Sequence, residues 1–276
     1  MKTILFPTDF SDNSTHSARY AGLLAKRLNA KVVLLHVYSF PMATEIDAYT
    51  VEALSARNRE EARDNLRFFA ENFIEDNGVA STHITQITDY GAVSDVILTT
   101  AKSTKADMIV MGTKGASNIF DKWLGTNAES VMKKADCPVW IIPENAQIHL
   151  PQTVMYAADF EENELAATHK VLEMIELLGA TCEVVHIHDY FAVNVGQRIE
   201  ATAKDLKKEF KNDDVTIHNL KRSEVIDGLT TYIRTHKPDV LVLATHDKPF
   251  WTGLLEPSIT KHFVHEAKLP MLIFKK

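Results

Sequence analysis

The chain has 276 residues, room for one large domain or two of ordinary size, and its 45% hydrophobic and 24% charged residues are the balance of a chain that folds around a core. A formal net charge of −7 leaves no basic footprint for nucleic acid or an anionic membrane, and no apolar run approaches the roughly 20 residues needed to span a bilayer. Two distant cysteines, Cys137 and Cys182, make no disulfide framework and fit a reducing compartment, so cytoplasm is the expected setting.

In chain order, the opening MKTILFPTDF holds one lysine and a short apolar run, too short for a signal peptide, and predicts a strand at Thr3–Phe6. Ser11 or Asp12 caps a helix whose Ser17, Ala21, Leu24 and Leu28 share a face. A second strand spans Lys31–Val37. A long helical stretch near Thr50–Asn77 places Ala62, Leu66, Phe69 and Phe73 on one side and the charged run RNREEARDN on a solvated one. Further strands are expected at Ile84–Thr88, Asp107–Met111 and Val139–Ile142.

The pattern then repeats. TILFPTDFS (Thr3–Ser11) matches TVMYAADFE (Thr153–Glu161), and KVVLLHVY (Lys31–Tyr38) matches TCEVVHIH (Thr181–His188), both at an offset of 150. Asp107 meets Asp239 and Pro138 meets Pro270 at an offset of 132, so the second copy is 18 residues shorter, and the loss is expected in the Ser39–Val79 region. In the second copy Ile199, Ala203, Leu206 and Phe210 predict a helix face. Strands alternating with helices imply an α/β fold: two tandem doubly wound five-stranded parallel sheets flanked by helices. The polar segment Pro143–Pro151 marks the boundary, giving domains 1–147 and 148–276. The last strands, Val139–Ile142 and Met271–Phe274, are apolar edges that must be paired or covered, by the two domains pairing within the chain, with or without a homodimer.

The most informative segment is MGTKGASNIFDKWLGTN (Met111–Asn127), which follows a buried strand and leads into a helix. Gly112, Gly115 and Gly125 punctuate it, with Thr126 and Asn127 behind the third glycine. Such a loop lets main-chain N–H groups approach a phosphate, and the helix start adds unpaired donors and a favourable dipole. Sheets of this kind bind ligands beyond the carboxyl ends of their strands, where Thr8, Asp9, Val37 and Gly112 are expected to meet. Asp9 is a carboxylate beside an apolar strand end, a hydrogen-bond acceptor for a ligand or a cap for the first helix. Lys114 supplies a cation to the loop or is one more solvated lysine.

The G-x2-G-x9-G-[ST]-N pattern, the P-x-D of Pro7, Thr8 and Asp9, and the H-V of His36 and Val37, in this order, resemble the universal stress protein family in its tandem two-domain form. The resemblance covers nearly the whole chain. It implies a Rossmann-like sheet of the adenine nucleotide alpha hydrolase type, and binding of ATP, or of AMP or ADP, with or without Mg²⁺, by the first copy. It also implies domain pairing through the last strands. On the family pattern the glycine-loop positions hold phosphates and ribose, the position matching Asp9 reaches the nucleoside, and the backbone matching Val37 contacts adenine. With Met111 ahead of the first glycine, the candidate binding set is Pro7, Thr8, Asp9, Val37, Met111, Gly112, Lys114, Gly115, Gly125, Thr126 and Asn127.

The second copy departs from the pattern. Gly112, Gly115 and Gly125 become Ala244, Asp247 and Pro257, while Thr126 and Asn127 become Ser258 and Ile259. Proline has no N–H to donate, and Asp247 and Glu256 put negative charge where a phosphate would sit. The second copy is therefore expected not to bind ATP in this manner, although Asp159 survives at the strand end.

Other constellations are weaker. His262 and His265, and His186 and His188, are pairs without the third and fourth ligands a metal requires, and His246–Asp247 is read as a polar loop. Phe120, Trp123, Phe250 and Trp251 are read as loop packing. There is no G-x-S-x-G, no G-x4-GK[ST], and no arginine within the glycine loop to clamp a transition state. The first expectation is a nucleotide-binding stress-response module. The alternatives are a slow ATPase or phosphotransfer enzyme using the same pocket, and a ligand-free interaction scaffold.

Overall fold

The computed structural model describes residues 1–38, 48–114, 124–158, 164–188, 214–222, 224–245, 263 and 269–275. Its framework divides into two units, Met1–Glu144 and Asn145–Lys276.

The first unit runs β1 (Thr3–Thr8), α1 (Asp12–Leu28), β2 (Lys31–Tyr38), α2 (Ala48–Asn77), a 3-10 turn (Ser81–His83), β3 (Ile84–Tyr90), α3 (Val93–Ser103), β4 (Met108–Gly112), α4 (Thr126–Lys134) and β5 (Val139–Ile142). The strands are parallel in the order β3-β2-β1-β4-β5. The chain steps outward one way from β1 to β3 and the other way from β4 to β5. β1 and β4 therefore meet where the winding reverses.

The central strands are apolar on both faces, as helices on both sides demand. Ile4, Leu5, Phe6, Met108, Ile109 and Val110 are all 0% exposed. Helix α1 begins because Ser11 is in an extended conformation and its hydroxyl accepts the Ser14 N–H at 3.2 Å. It ends at Asn29, whose left-handed backbone (φ 47) turns its N–H back to the Ala25 and Lys26 carbonyls. Ser17, Ala21 and Leu24 are buried along α1, and Ala62, Leu66, Phe69 and Phe73 along α2, whereas Leu28 is only half-buried. The two helices approach closely at Gly22, where the Asn77 side chain occupies the space a β-carbon would take.

The ladder between β1 and β4 covers Ile4 and Leu5, but that between β1 and β2 continues to Thr8 and His36. β1 thus extends two residues past the expected Phe6. Pro7, which has no N–H, lies where the strand has already parted from β4. This divergence opens a crevice at the reversal point.

The second unit repeats the plan with β6 (Thr153–Ala157), α5 (Glu164–Leu178), β7 (Thr181–His188), β8 (Val215–Lys221), α6 (Val225–His236), β9 (Val240–Thr245) and β10 (Met271–Lys275). Its parallel order is β8-β7-β6-β9-β10. Val32 pairs with Ile84 and its counterpart Cys182 with Val215, so the shortening falls between the second and third strands. Matching carboxylates tie each first strand down. Asp107 Oδ2 accepts the Thr3 N–H at 2.7 Å, and Asp239 Oδ2 accepts those of Gln152 and Thr153 at 2.8 and 2.9 Å. The helix face expected at Ile199–Phe210 lies outside the described residues. Among the described residues no helix is long and apolar enough to cross a membrane.

Candidate functional site

A cavity of about 330 Å³ fills the crevice of the first unit, within the range of small-molecule sites. Pro7, Thr8 and Asp9 border it from the end of β1, and Val37 from the end of β2. Met111, Gly112 and Lys114 border it from β4 and the following loop, and Gly125, Thr126 and Asn127 from the start of α4. Gly115 lies outside the described residues. The cavity also has walls that motif reading missed: Leu35, Val93, Ile97, Ser14, Thr113 and Ala128. Three of these carried a signal. Leu35 shares a strand face with Val37, and Val93 and Ile97 are one helical turn apart.

The β1 end is a compact hydrogen-bonded turn. Phe10 has a left-handed backbone (φ 64), unusual for a bulky residue. Its N–H donates to Thr8 Oγ1 at 3.1 Å, which also accepts the Ser14 hydroxyl at 2.8 Å. The Phe10 ring packs on His36 and Phe69, with centroids 4.3 and 5.8 Å apart. His36 Nδ1 lies 2.8 Å from the Thr8 carbonyl, so that nitrogen carries the proton. Burial lowers the His36 pKa against the opposing pull of this bond and of the Asp9 charge, which favours the neutral ring. Asp9 Oδ1 accepts the Ser11 N–H at 3.1 Å and the Ser11 hydroxyl at 2.6 Å. Ser11 is the cap of α1, and Asp9 braces that cap while facing the cavity.

The opposite end is built on α4. Its N-cap, Gly125, has no side chain with which to cap the leading N–H groups. The Gly125 N–H donates to the Thr113 carbonyl at 2.7 Å, which closes the base of the loop. The next two residues, Thr126 and Asn127, border the cavity. Glu129 in the first turn binds Lys133 at 2.7 Å, which draws its charge down the helix.

Gly112 borders the cavity and has a packing reason to be glycine besides. Its φ is not left-handed. A β-carbon there would lie 2.9 Å from Ser17 Oγ and 3.0 Å from Asn13 Nδ2, so the glycine admits α1 against β4. Ala244, at the matching place in the second unit, is buried. The His36 arrangement recurs there, with His186 Nδ1 2.8 Å from the Ala158 carbonyl. Asp159, His246, Asp247, Glu256, Pro257, Ser258, Ile259, His262 and His265 lie outside the described residues, as do Phe120, Trp123, Phe250 and Trp251. Among the described residues no three His, Cys, Asp or Glu side chains gather as metal ligands.

Chemically the cavity is two-ended. Leu35, Val37, Val93, Ile97 and Met111 give it an apolar wall. Among its described lining residues Asp9 is the one carboxylate and Lys114 the one cation.

The sequence pattern of the universal stress protein family matches residues 1–143 and again 151–275. A universal stress protein of Methanocaldococcus jannaschii is 33% identical over 142 residues, covering 51% of this chain and 81% of that protein. Universal stress protein G of Salmonella typhimurium is 30% identical over 145 residues, covering 51% and 98%. The crystal structure of a universal stress protein from Archaeoglobus fulgidus superposes with a TM-score of 0.76 at 18% identity, covering 99% of this chain and 98% of that one, a likeness of fold. The shared fold is a Rossmann-like parallel α/β sheet. Matched along both halves by the one family pattern, the chain belongs to the universal stress protein family.

Proposed function

We propose that the first domain, residues 1–147, binds one adenine nucleotide, ATP or a shorter phosphate form, and that the chain acts as a stress-response regulatory module. One observation carries this reading. The uncapped start of α4 and the Asp9 turn face a single cavity of about 330 Å³ with an apolar wall of Leu35, Val37, Val93 and Ile97. Helix-start N–H groups suit phosphates, and a carboxylate suits a ribose hydroxyl or a base amine. The described lining includes no His, Cys or Arg, which favours binding over rapid turnover. The second domain, residues 148–276, carries Ala244, Asp247 and Pro257 in place of the glycines and acts as a partner to the first.

The test is a calorimetric titration of the full chain with ATP, alongside mass spectrometry of small molecules released from the purified protein. One site per chain and a co-purifying adenine nucleotide support the reading. No binding, or two equivalent sites, contradicts it. Saturable Mg²⁺-dependent hydrolysis that is lost in Asp9→Asn would replace the module with an enzyme.

A further inference from the structure

We infer that Asn13 is a positioning residue for the anion-binding end of the cavity, acting through the backbone of Thr113 and Lys114 rather than by touching the nucleotide. The inference rests on the adenine-nucleotide reading above. Asn13 lies in the first turn of α1, 9% exposed, and does not border the cavity. Its Nδ2 donates to the Lys114 carbonyl at 3.0 Å and reaches Thr113 Oγ1 at 3.4 Å. The Thr113 carbonyl in turn holds the Gly125 N–H at 2.7 Å. One amide from α1 therefore grips both residues that leave β4, and one of those grips the cap of α4.

The hollow that admits Asn13 exists because residue 112 is glycine. A β-carbon there would lie 3.0 Å from Asn13 Nδ2 and 3.1 Å from Asn13 Cγ. The amide orientation is fixed by chemistry, since exchanging its O and N would set two acceptors face to face at Lys114. Asn13 Oδ1 is consequently buried with no partner among the described residues. A stranded acceptor is unfavourable, and an apolar side chain of similar size would fill the hollow without one. What the amide adds is the pair of donor contacts to Thr113 and Lys114. The repeat keeps the amide at Asn163 but replaces the glycine with Ala244, so the pairing of Asn13 with Gly112 is particular to the half proposed to bind.

The experiment titrates ATP and adenosine separately into the full-length wild type, Asn13→Asp and Asn13→Leu. Asp keeps the shape and loses the donors, whereas Leu keeps the volume and loses all polarity. The expected result is ATP binding about tenfold weaker in both variants with adenosine binding unchanged to within about twofold, so that the ATP-to-adenosine affinity ratio falls about tenfold. A purely structural role would lower the melting temperature and weaken both ligands alike. That result overturns the inference, as do unchanged affinities or failure of both variants to fold. Asn13→Leu decides the comparison, because the aspartate also brings a negative charge that repels phosphate by itself, and Asn13→Ser takes its place if the leucine variant alone fails to fold. A wild type that binds no ATP brings down the functional reading itself, and one that binds ATP but keeps the same ratio in the variants brings down only the role of Asn13.

Discussion

Gly125→Pro separates the fold of the first unit from its anion site. The native φ at Gly125 is −66, the value proline imposes, but the ring Cδ takes the place of the hydrogen that points at the Thr113 carbonyl, so the helix start must move off that oxygen. As the N-cap, Gly125 contributes its carbonyl to the helix, which accepts the Glu129 N–H at 3.0 Å, and proline keeps that carbonyl. What proline removes is the N–H that reaches the Thr113 carbonyl at 2.7 Å. Thr113 is 3% exposed, so its carbonyl is left with a lost partner at a cost of about 1–3 kcal/mol, against a typical domain stability of about 5–15 kcal/mol. The unit stays folded, but the start of α4 is no longer fastened to β4. Two charge-assisted bonds from Thr126 and Asn127, at about 1.5 kcal/mol each, are then misaligned, which is roughly a hundredfold in Kd. Urea unfolding followed at the fluorescence of Trp140 measures the first number, and calorimetry with ATP the second. A folded variant with unchanged ATP affinity refutes the reasoning. The second half carries proline, Pro257, at the matching place in the sequence.

Gly112→Ala forces a β-carbon to 2.9 Å from Ser17 Oγ and 3.0 Å from Asn13 Nδ2, an overpacking expected to destabilise the first unit by about 1–3 kcal/mol; an unchanged urea midpoint would show that α1 yields freely. The His36 pKa lies below its usual 6.5 through burial, so between that lowered value and 6.5 the unfolded chain binds a proton the folded chain refuses. The His36 contribution to stability is therefore whole above pH 6.5 and lost as pH falls through the lowered value, with a slope of at most about 1.4 kcal/mol per pH unit. His36→Gln should flatten this part of the pH profile, and a profile identical to wild type argues against it. Burial pushes the Cys137 thiol up to about 11 and the Cys182 thiol higher still. Iodoacetamide at pH 8 should leave both unmodified in the folded chain and alkylate both in urea, and rapid native labelling of Cys182 would contradict its burial.

Much of the fold is legible because its signals are local or repeated. Apolar strand runs, the helix faces at Ser17–Leu24 and Ala62–Phe73, and the offset copies each declare themselves within short windows. The strand ends that meet at the cavity follow from the winding order alone. What stays hidden depends on contacts distant in sequence. Gly112 is glycine because of Asn13 and Ser17, and Asn13 reaches its Thr113 partner across 100 residues. Gly125 reads as a residue that lets the loop fold around a phosphate, and the hydrogen bond from its N–H to the Thr113 carbonyl gives no sign in the spacing. Asp107 and Asp239 are visible as a repeat, whereas their shared task, accepting N–H groups at the start of the first strand, appears only in three dimensions. Asp9 reads as either a ligand contact or a cap, and the geometry lets one carboxylate brace Ser11 and border the cavity together.

The most direct measurement is a crystal structure of the full chain soaked with ATP. The account predicts one nucleotide per chain, in the first unit, with phosphates against the N–H groups of Thr126 and Asn127 and the nucleoside near Asp9 and Val37. Density in the second unit alone, or in neither, would contradict it.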